Sequence, residues 1–179
     1  MKENFTKKVI RIALVLMLVS GLSAALIISL NKLTAPIIEK NNIDKENNSL
    51  AQIYEGATFE TKLENVDETI LKVSEAKKDD ALIGYVYKIT GKNGYGKITL
   101  LIGISDGKVK KVVFLENTES YASTVEDHVN NAYAPDKVTT ENIGDVDVKC
   151  GATFGAKTIK AMMQSALDHY NKNYSGGND

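Results

Sequence analysis

The sequence offers little with which to staple a fold or bind a metal. Cys150 is the only cysteine among 179 residues, so no internal disulfide and no cysteine-based zinc site can form. His128 and His169 are the only histidines, too few to argue for a metal centre. An excess of one charge is also missing. The 22 Lys and Arg face 23 Asp and Glu, the formal net charge is -1, and no basic block follows the N-terminus. That balance leaves no electrostatic footprint for nucleic acid, and nucleic-acid binding is not expected. No internal repeat is visible.

The chain does have one long apolar run. From Ile12 to Leu30, IALVLMLVSGLSAALIISL passes 19 residues without a charge. At helical rise it covers about 28 Å, close to the roughly 30 Å hydrocarbon core of a bilayer. Eleven of its residues are Leu, Ile or Val, and together they favour insertion by several kcal/mol. Lys2, Lys7, Lys8 and Arg11 crowd its N-terminal flank, whereas the other flank mixes Lys32, Lys40 and Lys45 with Glu39, Asp44 and Glu46. The positive-inside rule then places the N-terminus in the cytoplasm and the rest outside the plasma membrane. A cleaved signal peptide is the rival reading, suggested by Ser23, Ala24 and Ala25. The run continues past them through Leu26, Ile27, Ile28 and Leu30, longer than a usual signal core, and this favours a retained single-pass anchor.

About 140 residues follow, a usual size for one domain with one core. Pro36 stands just outside the span, and polar, helix-compatible sequence after it reads as a juxtamembrane helix or stalk. Ala57 to Ala76 holds two weak strand candidates, and Ala81 to Gly91 a clear one, rich in β-branched and aromatic residues. KITLLIGIS and KVKKVVFLEN follow as strands, joined by the turn-forming pair Asp106-Gly107. Ser123 to Tyr133 reads as a helix with Ser123 or Thr124 as cap. In the last helix Ile159, Met162, Met163, Ala166, Leu167 and Tyr170 form one stripe, expected to pack on the sheet. NKNYSGGND then reads as a frayed tail. The expected fold class is α+β: one N-terminal transmembrane helix, then a small antiparallel sheet packed with helices. The boundaries are a cytoplasmic N-terminus at 1–11, a membrane helix at 12–31, a stalk at 32–56, an extracytoplasmic domain at 57–174 and a flexible tail at 175–179.

Chemistry concentrates just before the last helix, in Asp147-Val148-Lys149-Cys150-Gly151-Ala152-Thr153-Phe154-Gly155. Small residues let a backbone approach a ligand closely, and a helix start presents unpaired N–H groups and partial positive charge that suit a phosphate. The plainer alternative is that Thr153 or Thr158 caps the helix and the glycines only make a turn.

The run from Asp147 to Thr153 resembles the flavinylation motif D-x-x-[S/T]-G-A-T of the FMN-binding domain. That domain is found in the G-type subunit of the Rnf electron-transport complex and the C-type subunit of the sodium-pumping NADH:quinone reductase. Asp147, Gly151, Ala152 and Thr153 match the motif. The basic start, the single span, NKLTAPIIEKN and GYGKITLLIGISDGKVKKVVFLEN also look like the Rnf G-type subunit, so the resemblance covers nearly the whole chain. It implies FMN attached covalently, through a phosphoester, to Thr153 by a flavin transferase, with Asp147 helping to position or activate the acceptor. Cys150, Gly151, Ala152, Phe154 and Gly155 would surround the cofactor. It further implies a redox subunit of an ion-translocating oxidoreductase, not a complete enzyme alone, with the other subunits of a membrane electron-transport complex as partners and no catalytic residue of its own. A lone helix without an intramembrane charge makes no ion path.

The chain departs from the family pattern at three places. Cys150 replaces a Ser or Thr, and Gly155 and Ala156 stand where hydroxyl residues commonly follow the acceptor. The family's E-T-P-G-L-G reads here Glu119-Ser120-Tyr121-Ala122-Ser123-Thr124, with only Glu119 kept. Tyr121 is either a ring to stack on the flavin or an exposed loop residue. Two other functions stay open: a free-standing extracytoplasmic flavoprotein of another reductase chain, and a cofactor-free anchored binding domain.

Overall fold

The computed structural model describes residues 2–175 and divides into two units, Met1–Asp44 and Lys45–Asp179. The first unit is helical throughout its described residues, as part of α1 (Lys2–Ile53), with Pro36 inside the helix. Leu14, Leu18, Leu22, Leu26 and Leu30 are each more than half exposed, as are the other large apolar side chains between Ile12 and Leu33. A helix apolar on every side has no stable surface in water and needs lipid or protein around it. Three of its hydroxyls are already satisfied within the helix. Ser20 Oγ donates to Leu16 O (2.7 Å), Ser23 Oγ to Val19 O (2.9 Å) and Thr34 Oγ1 to Leu30 O (2.9 Å). Hydroxyls bonded in this way can enter a hydrocarbon layer without leaving a polar atom unpaired. Among the described residues this is the one helix long and apolar enough to cross a membrane.

The second unit is a five-stranded antiparallel sheet in sequence order: β1 (Thr58–Glu64), β2 (Ile70–Lys78), β3 (Ala81–Asn93), β4 (Gly96–Ser105) and β5 (Lys108–Asn117). Local turns set that order. Asp106 and Gly107 both have positive φ (52° and 69°), the mirror-image turn expected of this pair. Asp79 and Asp80 make a similar turn between β2 and β3, with φ of 51° and 63°. The β4 strand alternates between two cores. Ile98, Leu100, Ile102 and Ile104 face the main one, together with Tyr87, Ile89, Val125, Ile159, Met163 and Leu167. Leu101 faces a smaller one with Val86, Leu50 and Ile53. Helices α2 (Ala122–Ala132) and α3 (Thr153–Tyr174) cover the first face, and the end of α1 covers the second. Glu46 fastens that end, its carboxylate accepting from Lys72 Nζ (3.0 Å) and Lys88 Nζ (2.6 Å).

Two local expectations change. Helix α2 starts at Ala122, with Tyr121 at its N-cap and no side-chain cap, so neither Ser123 nor Thr124 caps it. Helix α3 continues through Asn171–Tyr174 instead of fraying, because the Tyr174 ring stacks on Tyr85 of β3 at 4.0 Å. The tail expected at 175–179 lies, from 176 onward, outside the described residues.

A pair of buried Tyr87 and half-buried His169 gives the domain a pH response. Tyr87 OH lies 3.0 Å from His169 Nδ1. Burial pushes the Tyr87 phenol up, so it stays protonated and donates to a neutral His169. Burial also holds His169 below the ordinary histidine range; Asp67 opposes this shift and Lys172 adds to it. The folded chain therefore binds that proton less readily than the unfolded chain. The stability carried by neutral His169 is complete above the unfolded value of about 6.5 and is lost as pH falls toward the lowered folded value. The urea midpoint should drop between about pH 7.5 and about pH 5.5, and His169→Gln should flatten that drop.

Candidate functional site

Loop and helix start are held in place from below. Lys160 Nζ on α3 donates to Gly144 O (2.6 Å) and Val146 O (2.8 Å), tying the incoming chain to the helix it leads into. Gly151 then takes a left-handed backbone, φ 80°, which a side chain there would strain. Ala152 is the N-cap, and the first intrahelical bond runs from Ala156 N–H to Ala152 O at 3.1 Å. The amides of Thr153, Phe154 and Gly155 precede that bond and lie at the positive end of a 22-residue helix.

Neither threonine caps this end. Thr158 Oγ1 donates to Phe154 O (3.0 Å), one turn into the helix, and accepts from Asn93 Nδ2 (3.1 Å). Thr153 is half-buried, and the N-cap position makes no side-chain bond. Among the described residues the Thr153 hydroxyl has no partner. It lines a cleft of about 290 Å³ together with Gly151, Ala152, Phe154, Gly155, Tyr95 and Tyr121. Three rings wall the cleft. Tyr95 lies 5.4 Å from Phe154 and 6.5 Å from Tyr121, and all three rings are largely exposed.

Five of the seven residues singled out from the sequence thus meet at one cleft. Asp147 does not. Its Oδ1 accepts from Lys149 N–H (3.0 Å), and it lines a separate, larger cleft of about 640 Å³ with His128, Lys137, Asn142 and Lys149. The aromatic walls and the free hydroxyl are at the smaller cleft, which makes it the candidate site despite the difference in volume. Cys150 is half-buried and packs against the main core, where a small side chain with weak hydrogen bonding is adequate. Tyr95 was missed by sequence reasoning, since it reads only as part of a strand. Its flanking glycines, Gly94 and Gly96, were the available sign of a turn.

Glu119 has an explanation in the structure. Only 6% exposed, it accepts from Asn93 Nδ2 at 2.7 Å through Oε1. A Cβ on Gly155 would stand 2.8 Å from that same Oε1 and 2.6 Å from Val125 Cγ2. Position 155 therefore has no room for the hydroxyl residue usual at this place. Gly155→Ala should cost about 1 to 3 kcal/mol, read as a lower urea midpoint, because Val125 or Glu119 must shift.

A helix N-terminus opening into an aromatic-walled cleft has the features of a small-molecule or cofactor site. Residues 94–168, from the Gly94-Tyr95 turn to late in α3, match the family model described as FMN-binding domain. That segment carries every residue lining the cleft. No curated protein matches the chain.

Proposed function

We propose that this protein is a membrane-anchored flavoprotein electron carrier, with FMN joined by a phosphoester to Thr153 Oγ1 on the extracytoplasmic side, acting as the G-type subunit of an Rnf-type complex. The observation that carries the reading is the unpartnered Thr153 hydroxyl at the start of α3, within the stretch similar to FMN-binding domains. The residues fit the group. Three free amides and the helix dipole suit a phosphate, and Tyr95, Phe154 and Tyr121 suit a flat aromatic system. At about 290 Å³ the cleft falls just under the usual range of pockets that enclose a whole ligand, so part of a flavin would stay open to an electron partner.

When bound, FMN supplies the electron chemistry, and the protein supplies place and surroundings. Thr153 Oγ1 would give up its proton and bond to the FMN phosphorus of FAD, taking the whole FMN moiety as the P–O bond to AMP breaks and AMP leaves, on a flavin transferase. The amides of Thr153 to Gly155 would then face the phosphodiester charge. Asp147, in the neighbouring cleft, would meet the transferase and not the acceptor hydroxyl. An anchor through the apolar run of α1 would keep the domain at the membrane, and the covalent bond would prevent loss of the cofactor by dilution.

The test is expression of the full chain with and without a flavin transferase, followed by flavin fluorescence on a denaturing gel. Fluorescence that requires the transferase is expected; none with the transferase present would end the proposal. The altered loop from Ser120 to Thr124 favours a second reading, a free-standing flavoprotein of another reductase chain. Copurification from native membranes with multispanning subunits would support the complex, and isolation of the chain alone would support the second reading.

A further inference from the structure

The structure assigns Asn93 as a positioning residue that fixes the Tyr95 ring as one wall of the flavin site, a proposal that rests on the FMN reading above. Asn93 closes β3 opposite Gly96, leaving Gly94 and Tyr95 as the exposed turn. Packing holds only one side of this turn: a Cβ on Gly94 would meet nothing within 4 Å, whereas one on Gly96 would stand 2.4 Å from Thr118 O, and Ser120 Oγ donates a long bond of 3.5 Å to Tyr95 O. A hairpin tip of this kind is ordinarily among the least stable parts of a fold. Here the Asn93 side chain holds it at both ends. Oδ1 accepts from Tyr95 N–H at 2.7 Å, inside the turn. Nδ2 donates outward, to Glu119 Oε1 at 2.7 Å and Thr158 Oγ1 at 3.1 Å.

The outward bonds join three separate pieces of chain. Glu119 belongs to the segment after β5, Thr158 to α3, and Tyr95 to the β3–β4 turn. The Glu119 bond also resists release. Glu119 is 6% exposed, and no salt bridge to it occurs among the described residues. Losing Asn93 would leave a buried carboxylate short of a donor, which is costly. The clamp therefore holds the turn against the helix that carries Thr153 and Phe154, with the Tyr95 ring 5.4 Å from Phe154 and tilted 43° to it. Asn93 does not itself line the cleft. It decides where the ring stands.

The test uses the full chain coexpressed with a flavin transferase. Native flavin fluorescence is measured per covalent flavin, the latter quantified on the denatured chain, since a stacked tyrosine quenches flavin emission. Asn93→Ala and Tyr95→Ala should each raise the native value about twofold or more, while Glu119→Gln, which keeps an acceptor oxygen for Asn93, should stay at the wild-type value. In chain made without transferase, amide exchange at the turn should quicken in Asn93→Ala and not in Glu119→Gln. Equal fluorescence per flavin in wild type and Tyr95→Ala would overturn the ring's role, even if Asn93→Ala failed to fold. Unchanged exchange in Asn93→Ala would overturn the clamp. Both of those results would leave the FMN reading standing, whereas wild-type chain without covalent flavin would remove that reading and this proposal together.

Discussion

Thr153→Ala is expected to bring flavin fluorescence on a denaturing gel down to background, and Thr153→Ser to restore much of it. The effect is large because no other aliphatic hydroxyl lines the cleft. Thr158, the nearest alternative in sequence, has its oxygen engaged with Phe154 O and Asn93 Nδ2. The same substitution should leave the fold almost untouched. Thr153 is half-buried, caps nothing and makes no side-chain hydrogen bond, so its removal should change stability by no more than about 0.5 kcal/mol. Urea unfolding of the unflavinylated variant checks that half of the result. Full fluorescence in Thr153→Ala would move the attachment elsewhere.

Ile159→Ala should give the opposite pattern, a large loss of stability from a residue that touches no cofactor. Ile159 has no exposed surface and lies in the main core with Met163 and Leu167, on the stripe that seats α3 against the sheet. Truncation of a fully buried aliphatic side chain costs about 2 to 5 kcal/mol, a large part of the roughly 5 to 15 kcal/mol that holds a domain folded. The urea midpoint should fall by about 1 to 3 M. Flavinylation should weaken only as far as the chain unfolds, because the acceptor and the amides around it are unchanged. A midpoint within experimental scatter of wild type would mean that α3 is not held by this stripe.

The residues behind these two variants are both legible in one dimension. The stripe from Ile159 to Tyr170 can be read directly, since helical period and burial are the same fact seen along the chain. The Asp106-Gly107 turn is equally plain, because the pair favours left-handed backbone whatever surrounds it. β1 and β2 are weak in sequence for a physical reason. β1 is an edge strand with mostly exposed residues, and bulges interrupt the register of both. The Asp79-Asp80 turn escapes a sequence reading because two aspartates form such a turn less often than Asn-Gly or Asp-Gly. At α2 the local signal misleads: Ser123 and Thr124 look like caps, yet the helix begins before them.

The candidate site divides along the same line. Thr153 and the small residues before it stand out in the sequence, because a motif is local. Tyr95, Asn93 and Glu119 are distant from it in the chain, and only sheet pairing brings them to the start of α3. The separation of Asp147 from the Thr153 cleft is likewise invisible in sequence, since a short loop between them can turn a side chain to either side.

Local chemistry was thus enough for the apolar run, the antiparallel strands and the amphipathic last helix, because each depends on residues close together in the chain, whereas Thr153 was singled out by the resemblance of a local motif. Tertiary structure decided that the Thr153 hydroxyl is free and not a cap, that Glu119 occupies the space a side chain at Gly155 would need, and that Asn93 clamps an aromatic turn over the cleft. Those are contacts between segments far apart in sequence, formed only when the sheet and α3 close on one core.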